Sequence, residues 1–133
     1  MADEPVPSIP QTEPQHIWLF DTRQVSNPVS ISTFPVVSGP LGVPHGKVGP
    51  HNLFEPRPGL WQSDDYVFAT QHTAGVYVYD VTDPYRPTEA ACFVSTPGTG
   101  PLADLGCVDV TVNSEGVVFI TDAGNGLRVC EFI

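Results

Sequence analysis

The chain has 133 residues, 15 acids against 5 bases and a net charge of −10. That length fits one domain, and that charge argues against nucleic acid and anionic membrane surfaces, which attract basic stripes. Fifteen prolines and twelve glycines exclude long helices, because an interior proline breaks the hydrogen-bond ladder and clashes with the preceding turn.

Residues 1–15 carry four prolines and read as a flexible arm. Residues 16–133 read as one repeat domain. Within the opening segment, Met1-Ala2-Asp3-Glu4-Pro5 lacks the basic start and apolar core of a signal peptide. No later run reaches the about 20 apolar residues that span a bilayer.

Strands are predicted over His16–Asp21, Val29–Val37, Tyr66–Thr70, Val76–Val81, Glu89–Ser95, Cys107–Val112, Val117–Asp122 and Leu127–Phe132. These segments are rich in Val, Ile, Tyr, Phe and Thr, which suit a pleated surface. His51–Glu55 is a further short candidate. Asn27-Pro28, the Gly/Pro-rich run 38–50, Thr82–Pro87 and 96–104 punctuate the strands as turns and loops. The class is all-β.

Two stretches match each other 51 residues apart without a gap. Val67-Phe68-Ala69-Thr70-Gln71 and Gly75-Val76-Tyr77-Val78-Tyr79-Asp80 align with Val118-Phe119-Ile120-Thr121-Asp122 and Gly126-Leu127-Arg128-Val129-Cys130-Glu131. A third, partial copy places Ile17-Trp18-Leu19-Phe20-Asp21 on Val76–Asp80 and Phe34 on Phe93, at an offset of 59. A repeated hairpin at a period near 50 marks arrays whose units bury their faces against neighbours. Val76–Tyr79 and Val117–Ile120 are apolar at consecutive positions. A sheet with one wet face would alternate instead, so these strands call for cover on both faces.

The run Gly75-Val76-Tyr77-Val78-Tyr79-Asp80-Val81-Thr82-Asp83-Pro84-Tyr85-Arg86-Pro87 resembles the LVIVD repeat. In that repeat a Gly-led apolar strand ends in Asp and leads into a Ser/Thr-Asp-Pro turn and a second Pro. Asp109–Val112 followed by Gly116–Asp122 and Gly126–Val129 resembles the family's closing repeat. The resemblance covers about residues 16–133. It implies a partial β-propeller of about two and a half antiparallel blades of up to four strands. The expected order is an outer pair, a full unit, then a unit without its last strand. Family members carry several more blades and are often found outside the cytoplasm. The expectation is therefore either a C-terminal piece of a longer ancestor or a chain completed by copies of itself or by a partner. The proline-rich arm is a poor source for the missing strand, because proline cannot donate to a ladder.

Candidate chemistry is sparse. His51 begins a predicted innermost strand. With His45, His72 and Glu55 it offers nitrogen and oxygen donors for a transition metal. The selenium-binding protein family resembles this general layout, which implies metal-dependent oxidation at channel histidines as the alternative to an assembly role. The spacing from His45 to His51 to Glu55 is no recognised ligand motif, and a hydrogen-bonding role for the histidines stands against it. His16 reads as structural. Asp64, Asp65 and Asp83 sit in turns, where a carboxylate commonly bonds its own backbone. Asp80 and Glu131 end equivalent strands and read as turn caps. Trp61 and Tyr85 are candidate partner contacts, although Trp61 equally suits the cover of a sheet edge. Cys92, Cys107 and Cys130 show no zinc spacing and read as small buried hydrophobes. No nucleophile elbow, phosphate loop, dinucleotide fingerprint or HExxH motif is present.

Overall fold

A computed structural model of the chain describes residues 2, 15–37 and 47–132. The described residues form eight strands in three antiparallel sheets. The first pairs β1 (Trp18–Asp21) with β2 (Val29–Thr33). The second orders β3 (Tyr66–Thr70), β4 (Val76–Asp80) and β5 (Thr88–Phe93). The third orders β6 (Cys107–Val112), β7 (Val117–Asp122) and β8 (Gly126–Glu131). A 3-10 turn, Ala103–Leu105, precedes β6. No helix among the described residues is long and apolar enough to cross a membrane.

The predicted innermost segment lies against β3 without becoming a regular strand. His51 N–H donates to the Thr70 carbonyl at 3.0 Å, Thr70 N–H to Asn52 at 2.9 Å, and Phe54 N–H to Phe68 at 2.9 Å. Leu53 bridges Ala69. Three regular strands and this bridged segment thus stand where four strands were expected.

Of the C-terminal strand ends, those of β2 and β5 differ most from the sequence reading. β2 stops at Thr33, not Val37, because Pro35 has no N–H to continue the ladder and Phe34 turns inward to 4 % exposure. β5 ends at Phe93, where the chain leaves for the 94–106 connection. Cys92 is exposed, against the expectation of a buried thiol, because it lies on the edge strand β5. Most of the expected arm, and residues 38–46 of the Gly/Pro loop, lie outside the described residues. Ala2 is described and bridges Ile17.

Two separate cores explain the consecutive apolar residues. Successive side chains of a strand point to opposite faces. On the middle sheet Phe68, Val76 and Val78 join Val110, Val112, Val118 and Ile120 of the third sheet. On its other face Ala69, Tyr77 and Tyr79 join Ile17, Phe34 and Leu19 of the first segment. The sheets therefore stack in series, with the middle one covered on both faces. Aromatic rings stitch both layers: Phe34 lies 4.6 Å from Tyr79, and Phe68 lies 5.3 Å from Phe132 and 6.1 Å from Phe54.

Glycines permit the closest approaches between these layers. Gly106 has φ +61°, and a Cβ there would lie 2.5 Å from the His72 carbonyl carbon and the Thr73 nitrogen. The backbone of the middle sheet's turn thus touches the entry to the third sheet, where only glycine fits. Cys107 N–H donates to the His72 carbonyl at 2.9 Å across the same junction.

Candidate functional site

The β3–β4 turn, Gln71 to Gly75, is the meeting point of the described chain. Gln71 N–H donates to the Gly75 carbonyl at 2.8 Å, closing the loop. The turn is tight enough to hold His72 at φ +52°, the one positive φ outside glycine among the described residues. A non-glycine residue there costs conformational energy and is held by its surroundings. His72 bridges Val48 on one side and Cys107 on the other, and its side chain is buried.

This arrangement brings two of the four nominated metal ligands together. The rings of His51 and His72 lie 4.8 Å apart, edge to face. His72 Nδ1 stands 2.9 Å from the Leu105 carbonyl oxygen. A carbonyl only accepts, so Nδ1 carries the proton of that bond. Glu55 does not join them. It is exposed and pairs with Arg57, Nη2 to Oε2 at 2.9 Å. His45 lies outside the described residues. Among the described residues no three His, Cys, Asp or Glu side chains gather as a metal ion would require. His16 packs edge-on to Trp18, with ring centroids 5.8 Å apart.

Asp80 and Asp83 serve the turns. Asp80 accepts from Thr82 N–H at 2.9 Å and from the Thr82 hydroxyl. Asp21, its equivalent in the first sheet, accepts from Arg23 N–H at 2.9 Å. Asp83 accepts from Tyr85 N–H at 3.0 Å. Trp61 is half-buried, edge-on to Phe132 at 6.3 Å, while its backbone N–H donates to the Val112 carbonyl at 3.1 Å. Tyr85 is 63 % exposed on the turn after β4.

Sequence reasoning missed a buried polar latch. Asp122 is 2 % exposed at the end of β7. Its Oδ1 accepts from the amides of Gly124 and Asn125 at 2.9 and 3.0 Å. Its Oδ2 accepts from the Ser95 hydroxyl and from Asn125 Nδ2 at 3.0 Å. Burial pushes its pKa up, but the bonds from Ser95, Asn125 and the two amides outweigh it and hold the carboxyl below its ordinary value. Asp122 therefore ties the 94–106 connection to the β7–β8 turn as an ionised carboxylate. The Asp-Ala-Gly-Asn turn was a local signal for it; the partner 27 residues away was not. A cavity of about 420 Å³ opens beside the latch, lined by Thr73, Ser95, Thr96, Asp104 and Asn125.

Cys107 is buried at the inner end of β6. Burial pushes its thiol up to about 12, with the nearby Asp122 charge adding to the rise. It is an inert thiol at neutral pH.

The third sheet carries an apolar patch left uncovered among the described residues. Phe119, Leu127 and Val129 point away from the core that Val118, Ile120 and Cys130 join. Leu127 is 66 % and Val129 58 % exposed. Cross-strand register sets Phe119 against Val129 and Thr121 against Leu127, so the three residues form one patch. No family model, no curated protein and no solved structure matches this chain.

Proposed function

We propose that the chain is a non-catalytic assembly module. Its sheets act as wedges of an incomplete β-propeller, akin to the LVIVD-repeat proteins it resembles, and self-association supplies the missing cover. One observation carries this reading. By the 51-residue repeat, Leu127 and Val129 occupy the positions of Val76 and Val78. Those two are 2 % and 6 % exposed, because the third sheet covers them. The same positions one unit later have the same chemistry and no cover among the described residues. Burying an aliphatic side chain of this size stabilises by roughly 1.5–3 kcal/mol, which favours filling the face.

The catalytic alternative, oxidation at a histidine-held metal, draws on His51 and His72. Among the described residues these two donors stand without the third protein ligand that catalytic zinc sites commonly use. The assembly reading rests on more residues and is preferred.

Size-exclusion chromatography with light scattering tests it. The wild-type chain should elute as a discrete oligomer of its 14.3 kDa unit. A doubly substituted Leu127→Glu/Val129→Glu chain should elute at the unit mass and keep its β circular dichroism. A wild-type monomer at every concentration would contradict the reading.

A further inference from the structure

Three loops from different parts of the fold meet around one cavity. The β3–β4 turn, the 94–106 connection and the β7–β8 turn enclose about 420 Å³. Small-molecule sites occupy about 300–1,000 Å³, so the space suits an organic ligand. Backbone contacts fix the loops. A Cβ on Gly98 would lie 2.6 Å from the Gly124 Cα, and Thr99 N–H donates to the Gly124 carbonyl at 3.3 Å. Ala123 N–H donates to the Gly106 carbonyl at 2.8 Å. The Asp122 latch adds a side-chain tie between Ser95 and Asn125. These contacts hold the three segments at set separations, so the cavity exists before any ligand arrives, which lowers the cost of binding.

The lining sorts by chemistry. Val94, Pro97 and Ala103 supply apolar wall, and Val94 is exposed. The polar members divide into those already bonded and those left open. The four acceptor positions of Asp122 are taken by Ser95, by Asn125 Nδ2 and by two amides. Asn125 Nδ2 also donates to the Ser95 oxygen at 3.2 Å and the Thr96 carbonyl at 3.0 Å. Among the described residues no hydrogen bond uses Asn125 Oδ1, and no hydrogen bond or ion pair uses the exposed Asp104 carboxylate. The described lining holds no Lys, Arg or His. Lys47 meets Asp104 through its backbone N–H, at 3.0 Å, and is not a lining residue. The cavity thus offers a carboxylate and an amide oxygen beside an apolar wall, with no lining base to balance them.

We propose that this cavity binds a small organic ammonium, a protonated amine carried on a compact apolar body. An ammonium brings donors and no acceptor, which is what Asp104 and Asn125 Oδ1 call for. Its hydrogen bond to a carboxylate is charge-assisted and stronger than a neutral one. The apolar body covers Val94 and Pro97. An anionic ligand of the same shape meets the charges of Asp104 and Asp122 instead. A bare inorganic cation leaves the apolar wall wet. The site is independent of the assembly reading, because it uses none of Phe119, Leu127 and Val129.

Amide NMR of the isotope-labelled chain tests the proposal, with phenethylamine as the probe. Measurements belong at about 0.15 M salt, where a Debye length near 8 Å screens loose attraction to the acidic surface. The probe is raised to about 10 mM, well above a weak Kd of about 1 mM. The amides of Thr96, Gly98, Asp104, Gly106 and Asn125 should shift together along one saturable curve. Phenylpropionate carries the ring with the opposite charge, and ammonium chloride carries the charge without the ring. Both should leave those amides unmoved at matched concentration. Asp104→Asn keeps the shape of an exposed side chain and should raise the probe's Kd about tenfold, the loss of one charge-assisted hydrogen bond. Unmoved amides with phenethylamine would overturn the proposal. An equal response to phenylpropionate or to ammonium chloride, or an unchanged Kd in Asp104→Asn, would overturn it as well. The three probes decide the matter on the wild-type chain alone should the variant fail to fold.

Discussion

A Gly75→Ala chain should lose about 3–5 kcal/mol of folding stability, near the upper end of what single substitutions cost. Gly75 sits at φ +103°, where a side chain is already strained. A Cβ there would fall 1.9 Å from the Phe93 carbonyl oxygen and 3.0 Å from its carbon. Both atoms are backbone, so no rotamer relieves the contact. Either the β3–β4 turn opens or β5 moves off β4, and the Val76–Phe93 pairing is lost in both cases. Domains are stable by about 5–15 kcal/mol in total, so a large part of the margin goes. Gly59→Ala is the control. Gly59 has φ +88° with nothing within 4 Å of the added carbon, so backbone strain alone should cost about 1 kcal/mol. Urea unfolding of both variants isolates the contact. Equal losses at Gly75 and Gly59 would show that β5 does not lie where the structure places it.

Phe68→Ala should cost about 3–5 kcal/mol, the usual range for a buried phenylalanine in a core that cannot collapse around the gap. Phe68 is 1 % exposed, and its ring meets Phe54 and Phe132 edge-on. The informative comparison is Phe119→Ala. Phe119 is the repeat equivalent of Phe68, but it lies with Leu127 and Val129 on the open face of the third sheet, its forward face. Its loss should be under about 1 kcal/mol in dilute protein, in line with changes away from a packed core. Its penalty should grow as the protein assembles, because assembly stabilises folded chains by mass action. Denaturant titrations at several concentrations measure both. Equal, concentration-independent losses at the two positions would mean that Phe119 already has cover within one chain.

Much of the fold was legible because the repeat is written in residues that bury themselves. Val76–Tyr79 demanded two covered faces, and the chain provides them. β6 and β7 have the ends that apolar pattern and flanking glycines implied. Strand ends governed by tertiary contacts were harder to read. Pro35 was a local signal for the end of β2, but the packing of Phe34 on Tyr79 is a contact that no local pattern announces. The innermost segment 51–55 reads as strand but forms only intermittent pairing with β3. Its short apolar run ends at Glu55 and Pro56, and Pro56 has no N–H for the ladder.

The site was less legible. His51 and His72 could be nominated from their places beside predicted strands, and the structure sets their rings side by side. Glu55 could not be ruled in or out by spacing, and it faces solvent with Arg57. The Asp122 latch needed knowledge that Ser95 returns across 27 residues. The open forward face was implicit in the repeat, since Leu127 and Val129 copy buried positions. Their exposure became visible only once the order of the sheets was known.

Amide hydrogen exchange, read sheet by sheet at rising protein concentration, tests the serial stack most directly. With the middle sheet covered on both faces, the amides of Tyr77, Val78 and Tyr79 should exchange only through global unfolding. They should be the slowest in the chain at every concentration. Amides of β7 and β8 should begin faster and slow as the forward face is filled. Exchange in β4 as fast as in β2, with β8 indifferent to concentration, would contradict the account.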